Sequence, residues 1–308
     1  MIAYVLRRIV FSVIVILVAV STIFIVVRSL PGNPAQLLLG PDATPAAIAR
    51  LARQMGLDRG IFVQYGYFLR DVLHLDFGNS SQFGQPALSI VMARVPASLE
   101  LAGVSMTMVL IVAFVLGPLL AWRPDSRLDQ LVSGALMFIQ GLPGFWVGVI
   151  LLLVLVDNLR LLPPGGRSNW ESFIMPAITL GFPFACVLAR LTRDGFVDVL
   201  QSGYVRTARA KGLSEWRVLR KHCLRNMLIP IVTVGGVQLG MLFSGAAIVE
   251  TIFNWPGIGQ SLLNGILNDD YAIVEADIFV FAVGFVAVNF IVDVLYAYID
   301  PRIRLGRS

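Results

Sequence analysis

Few residues in this 308-residue chain have the type and spacing that chemistry requires. Its two lysines, Lys211 and Lys221, follow no glycine-rich loop ending in Lys-Ser or Lys-Thr, so the chain does not cradle ATP phosphates by that route. The two histidines, His74 and His222, fall in loops on opposite sides of the apolar segments described below, which rules out one shared metal site. Neither Ser-His-Asp spacing nor a carboxylate pair within an apolar run is apparent, so nothing points to a membrane hydrolase and the expectation is that the chain is no enzyme. Cys186 and Cys223 form no disulfide framework and read as small packing residues. One carboxylate, Asp293, does sit in an apolar run, where charge is costly and turns to a bundle interior. It is either a proton or cation site or a structural partner for a backbone or arginine group.

The densest pattern is basic. Gly203-Tyr-Val-Arg-Thr-Ala-Arg-Ala-Lys-Gly-Leu-Ser-Glu-Trp-Arg-Val-Leu-Arg-Lys-His222 lies between two apolar segments. Residues from about Gln201 to Lys211 favour helix, and Gly212 followed by Leu213 predicts a left-handed glycine stop with an apolar contact beyond it. Ser214 then caps a second helix beginning at Glu215, whose Trp216, Leu219, Cys223 and Met227 share a face while Arg217, Lys221 and Arg225 form a cationic stripe. Two short helices at a glycine corner suit a groove on a soluble partner, or an anionic lipid surface. Sequence physics leaves both open.

Composition decides what must position this loop. Hydrophobic residues make up 57% of the chain and charged ones 14%, with a mean hydropathy of +0.79, against about a quarter charged in globular domains. Windows near the roughly twenty residues needed to cross a bilayer occur at 9–27, 99–121, 131–156, 175–191, 227–248 and 278–299. The expectation is an all-α, polytopic membrane protein of about six transmembrane helices, forming a single transmembrane domain over 1–308. Arg7, Arg8, Arg123, Arg127, the cluster from Arg193 to Arg225, and Arg302, Arg304 and Arg307 place both termini and the 193–226 loop in the cytoplasm. Asp269, Asp270, Glu275 and Asp277 mark the opposite side. The sequence pI of 9.6 therefore reflects topology, and nucleic acid is not an expected partner. The first span reads as an uncleaved anchor.

The connection 31–97 is expected to be an ordered extracytoplasmic loop. Thr44-Pro45 starts a helix that Gly56 stops, and Phe62, Tyr65, Leu69 and Val72 recur at helical spacing toward Leu75. Within the spans, Gln140 with Pro143 and Gly144 interrupts the third, either as a kink or as a polar stretch of a path. Gly235, Gly236, Gly240, Ser244, Gly245 and Ala246 make the fifth rich in small residues, for close packing or for room along a path. Gln140, Gly236, Gln238 and Ser244 are the candidate pathway residues. If a path does run here, their neutrality predicts weak discrimination among the solutes that use it. Trp255, in the turn after the fifth span, is suited to a membrane interface or an outer gate.

The basic loop resembles the E-A-A-x-x-x-G loop of ATP-binding cassette importer permeases, with Gly212 on the motif glycine and Ala208 matching an alanine. The acidic first position falls on Arg206, and the proline after the later leucine, Leu224, falls on Arg225. The wording Thr207-Ala-Arg-Ala-Lys-Gly-Leu213 is similar to the dipeptide/oligopeptide (nickel) branch, in its B-type membrane subunit. Further stretches of that branch follow in order: Leu30-Pro-Gly-Asn-Pro-Ala35, Gly56-Leu-Asp58, Asp76-Phe-Gly78, Arg94-Val-Pro-Ala-Ser-Leu-Glu-Leu101, Val249-Glu-Thr-Ile-Phe-Asn-Trp-Pro-Gly-Ile-Gly259 and Val292-Asp-Val-Leu-Tyr-Ala-Tyr-Ile-Asp-Pro-Arg-Ile-Arg304. The resemblance implies a permease in the bacterial cytoplasmic membrane, importing short peptides. It implies a second homologous permease, two ATP-binding subunits that bind the ATP and magnesium this chain does not, and an extracytoplasmic substrate-binding protein. Thr207, Ala208, Gly212, Leu213, Trp216 and Leu219 become the residues expected to couple to the ATPase. Nickel, haem or glutathione are alternative cargoes, and an ion-coupled transporter or channel using Asp293 is the alternative mechanism.

Overall fold

The computed structural model describes residues 2–29, 44–54, 56, 58–212, 214, 224–244 and 246–299. Regular structure among them is helical: α1 (Ile2–Ser29), α2 (Pro45–Gln54), α3 (Ile61–Leu73), α4 (Ala87–Ala121), α5 (Arg127–Gln140), α6 (Gly144–Leu151), α7 (Ile174–Gln201), α8 (Gly203–Ala210), α9 (Leu224–Ser244), α10 (Ala247–Ile252), α11 (Ile258–Leu267) and α12 (Tyr271–Ile299). Part of α1, all of α4, part of α12, and α7 with the short turn Trp170–Phe173 before it are each long and apolar enough to cross a bilayer. The pair α5 and α6 makes a fifth span if taken together, and the apolar stretch Pro230–Phe243 of α9 is shorter. The chain packs as two compact units.

One unit comprises 2–98 and 256–286. Val20, Ile23, Phe24 and Val27 recur at helical spacing on α1 and are buried, while the large apolar residues from Ile9 to Val18 are mostly exposed, as a helix facing lipid requires. The Phe24 ring meets Tyr65 at 5.2 Å and Phe68 at 5.3 Å on α3, and Ser21 Oγ lies 2.6 Å from Tyr65 Oη. The loop helices form where turn chemistry places them. The Ala47 amide donates to Thr44 Oγ1 at 3.3 Å, Pro45 opens α2, and Gly56 follows with φ +67°. Ser98 Oγ accepts from the Ile258 amide at 2.9 Å, satisfying a donor at the start of α11.

The second unit contains 99–255 and the chain from Ala287. Its centre is α7, whose apolar stretch is two-thirds buried against a third or less for the other long spans. Leu188 of α7 joins Val109 and Ala113 of α4, Val205 of α8 and Ile231 of α9 in one cluster, all essentially inaccessible. Cys186 is buried in a second cluster with Leu120, Leu136 and Ala189, in the packing role expected of it. The third predicted span, 131–156, is not one straight helix. Gly141, Leu142 and Pro143 separate α5 from α6, and the two helices bend by 100°. The fourth runs to Gln201 rather than stopping near Leu191, carrying Pro183 inside it. Trp255, expected at a membrane interface or an outer gate, is wholly buried, with its ring 4.6 Å from Phe173 in an edge-on contact. Its amide donates to Glu250 O at 2.7 Å, so the turn folds inward and takes the indole with it.

Gly144 and Gly148 occupy one face of α6, a small-xxx-small spacing that admits a neighbouring backbone. A Cβ on Gly148 would stand 3.0 Å from Thr179 Cγ2 and 3.3 Å from Phe253 Cε2. Gly148→Leu is therefore expected to destabilise this unit by about 1–3 kcal/mol through overpacking, read as a lower melting temperature in detergent. An unchanged melting temperature would show that α6 can move away from α7 freely.

Candidate functional site

The basic loop begins where α7 ends, and Ser202 makes that end. Its φ of −67° and ψ of 151° leave the helical region, its hydroxyl donates to Val199 O at 2.5 Å, and its own carbonyl accepts the Arg206 amide at 3.2 Å. One residue thus closes α7 and opens α8. The short α8 is held by Val205, fully buried in the cluster around Leu188 and Phe196. Thr207 is exposed, with its hydroxyl committed to Gly203 O at 3.0 Å. Ala208 lies on the α8 backbone. Gly212 has φ +76°, the left-handed conformation, and no atom lies within 4 Å of where its Cβ would stand. A side chain there meets backbone strain rather than a neighbour. Leu213, Trp216, Leu219 and the second helix expected from Glu215 lie outside the described residues, as does the Ala208 side chain.

A charged cluster that the sequence reading counted only as topology braces α7 just before this loop. Arg193 makes a two-pronged pair with Asp129 of α5, Nη2 to Oδ2 at 2.5 Å and Nε to Oδ1 at 3.1 Å, and reaches Asp194 at 2.9 Å and Asp125 at 3.8 Å. The Asp129 side chain is 3% exposed, yet it also accepts the Asp125 amide at 2.9 Å and the Ser133 hydroxyl at 3.2 Å. Its own amide donates to Ser126 Oγ, the cap of α5, at 3.2 Å. The buried carboxylate is thus ringed by donors, the condition under which such a pair is tolerated. Ser126 followed three residues later by an acid was the available signal, a variant of the capping box.

The pathway candidates separate. Gln140, at the end of α5, accepts from Arg190 Nη2 at 2.8 Å, which sets a cation beside a position expected to be neutral. Gln238 is 5% exposed, donating to Phe184 O at 3.4 Å, with its Oε1 unpartnered among the described residues. Both amides are therefore tied to α7. Gly236 faces Val292 of α12 so closely that a Cβ would overlap it, which is close helix packing. The Ser244 side chain lies outside the described residues. Arg190 was missed because it sits at the edge of a window judged by its mean hydropathy, although a lone arginine there is itself a signal. Among the described residues no cluster of His, Cys, Asp or Glu suits a metal ion.

Residues 111–305 match the family described as "Binding-protein-dependent transport system inner membrane component", and residues 1–102 match its N-terminal companion. The chain belongs to this family. It is the permease subunit of an ATP-binding cassette importer, an inner-membrane component, and a transport subunit rather than an enzyme. It is 39% identical over 99% of both chains to the glutathione transport system permease protein GsiC of Salmonella typhimurium, and 38% identical, with the same coverage, to that of Escherichia coli. Its fold is similar to that of a chain of the MetNI methionine ABC transporter, with a TM-score of 0.59 and 17% identity over 68% of this chain and 96% of that one. The similarity to an amino acid ABC transporter has a TM-score of 0.53 and 14% identity over 70% and 94%. An importer permease of this kind works with ATP-binding subunits and a substrate-binding protein, and ATP as its energy source sets aside the ion-coupled alternative for Asp293.

In this permease the Arg193–Asp129 pair should hold α5 against α7. Asp129→Ala leaves a half-buried guanidinium short of its principal partner and is expected to cost about 3–5 kcal/mol, with Arg193→Lys costing less. Removing both, as Asp129→Ala with Arg193→Ala, should recover part of the loss. Thermal unfolding in detergent of wild type, Asp129→Ala, Arg193→Ala and the double variant checks this, and strictly additive losses would mean that the pair is not coupled.

Proposed function

We propose that this chain forms half of the membrane path of an importer for short peptides. A second homologous permease forms the other half, two ATP-binding subunits dock on the basic loop, and an extracytoplasmic binding protein delivers the substrate. The observation that carries this reading is identity over nearly the whole chain with permeases named for glutathione, itself a short peptide, together with the peptide-branch wording Thr207-Ala-Arg-Ala-Lys-Gly-Leu213. The excess of arginine at both termini and in 193–226 supports placing them in the cytoplasm.

ATP binding would draw the two nucleotide-binding subunits together and turn the loops seated on them. In this chain the turn would enter at α8, beyond the Gly212 corner. Ser202 is the point where helical backbone is interrupted between α7 and α8, so it would serve as the hinge. Val205 keeps α8 attached to the core, so the movement reaches α7 instead of dissipating in the loop. The switch alternates two global states of the cavity, open inward and open outward. Substrate range is set mainly by the binding protein, because the polar groups this chain offers near α7 are few.

Uptake by the purified complex in proteoliposomes, with a panel of dipeptides, longer peptides, glutathione, haem and nickel, tests the reading. ATP-dependent uptake of di- and tripeptides is expected, and uptake of nickel or haem alone would refute it.

Gly212→Val forces a β-branched residue into a left-handed conformation, at a strain of roughly 1–2 kcal/mol. It is expected to lower the uptake achieved per ATP hydrolysed while the permease remains inserted. Gly212→Asn, which tolerates positive φ, should retain most coupling. Because the Cβ position is open, equal coupling in wild type and the valine variant would remove Gly212 from the transmission path.

A further inference from the structure

Within the unit formed by 2–98 and 256–286, a half-open cavity of about 110 Å³ is lined by Gln82, Phe83, Arg94, Ser261, Asn264, Gly265, Asn268, Asp270 and Ile273. Most polar groups in its wall are already committed. Asp270 Oδ2 accepts from Ser80 Oγ at 2.5 Å and from the Gln82 amide at 3.3 Å, and Oδ1 accepts from the Ile273 amide at 3.4 Å. With its residue 1% exposed, this carboxylate pins the 80–83 turn to the start of α12. The closing carbonyls of α11 are likewise taken. Asn264 O accepts the Asn268 amide and side chain, Gly265 O the Asp270 amide at 2.8 Å, and Ile266 O the Asp269 amide at 3.3 Å.

Arg94 is the exception. It stands two turns into α4, and among the described residues it has no ion pair and no hydrogen-bond acceptor. A guanidinium presents five donors in a planar fork that matches a carboxylate with two parallel bonds. Gln82 and Asn264 add amides at the rim, and Phe83, 55% exposed, offers an apolar surface beside them. The volume equals that of three or four waters at about 30 Å³ each, enough for a carboxylate and a little more, but too small to enclose a peptide.

We propose that this cavity binds the C-terminal carboxylate of a short peptide through Arg94, with the rest of the peptide outside it along Phe83. The Asp270 carboxylate in the same wall is turned to its own loop and sets the cavity's shape. The site rests on the reading that the cargo is a short peptide and that this surface is extracytoplasmic. It would give the permease a first hold on the substrate, apart from the polar groups on α7.

The test measures binding of a radiolabelled tripeptide to the whole importer in nanodiscs, without ATP or binding protein, against the same tripeptide with its C-terminus amidated. Loss of a charge-assisted, two-pronged contact predicts at least about tenfold weaker binding of the amide, and a similar loss for the free peptide with Arg94→Gln. Acetate should compete at high concentration. Equal affinities for peptide and amide in the wild-type protein would overturn the proposal without reliance on any variant. Weaker docking of the binding protein to the Arg94→Gln complex, with peptide binding unchanged, would also overturn it, by assigning Arg94 to that partner. Leu267→Cys, in a background without Cys186 and Cys223, should react with an impermeant thiol reagent from outside the cell. Reaction from the cytoplasmic face alone would refute the orientation, whereas the affinity comparison judges the carboxylate site separately.

Discussion

Helix α7 is buried over most of its length, and a buried helix in lipid must bring its own small faces and satisfy its own polar groups. Gly181, Ala185, Cys186 and Ala189 supply the small side chains, letting α4, α5, α6 and α9 approach. Thr192 bonds back to Leu188 O at 2.7 Å and needs no partner elsewhere. Pro183 lacks the amide that Thr179 O would receive, and that carbonyl lies near Gly144 at the start of α6. The break between α5 and α6 and the proline in α7 therefore fall in one neighbourhood. Gly141 and Pro143 at the break remain exposed within this chain, so α7 covers that irregular backbone on one side only.

The same burial explains the arginines. A cation on such a helix is admissible only with acceptors in place, and α5 brings them: Gln140 to Arg190 and Asp129 to Arg193. These two contacts lie three residues apart on α7, close to its junction with α8. The helix is thus restrained by packing along its middle and by ion pairing toward its C-terminal part, and its helical backbone ends at Ser202.

The other unit depends on a carboxylate used in the opposite way. Asp270 accepts only from within its own chain, organising the 80–83 turn, where Gly78 and Gly84 take positive φ on either side. The Phe77 ring meets Phe279 at 5.1 Å and secures the same turn from its apolar side. With Asp270 committed to its own loop, Arg94 is the charged group in that wall with no ion pair among the described residues.

Local rules were enough for much of this. Thr44-Pro45 and Gly56 determined α2, the 3.6-residue spacing of Phe62, Tyr65, Leu69 and Val72 determined α3, and Gly212 before Leu213 implied the left-handed residue found there, because each depends on neighbours a few positions away. The helical class, the family and the basic loop were legible for the same reason, as composition, motif order and charge are properties of the chain itself. Whether a residue faces lipid, core or path depends instead on which helix lies opposite it. Trp255 turned inward onto Phe173, Gly236 went to packing against Val292, and Gln140 was taken by Arg190, fifty positions away. The 100° bend after Gln140 and the bracing of Asp129 by Arg193 belong to this class as well. Hydropathy averaged over a window records how apolar a segment is. Only the tertiary structure decides which of its few polar atoms are already spoken for.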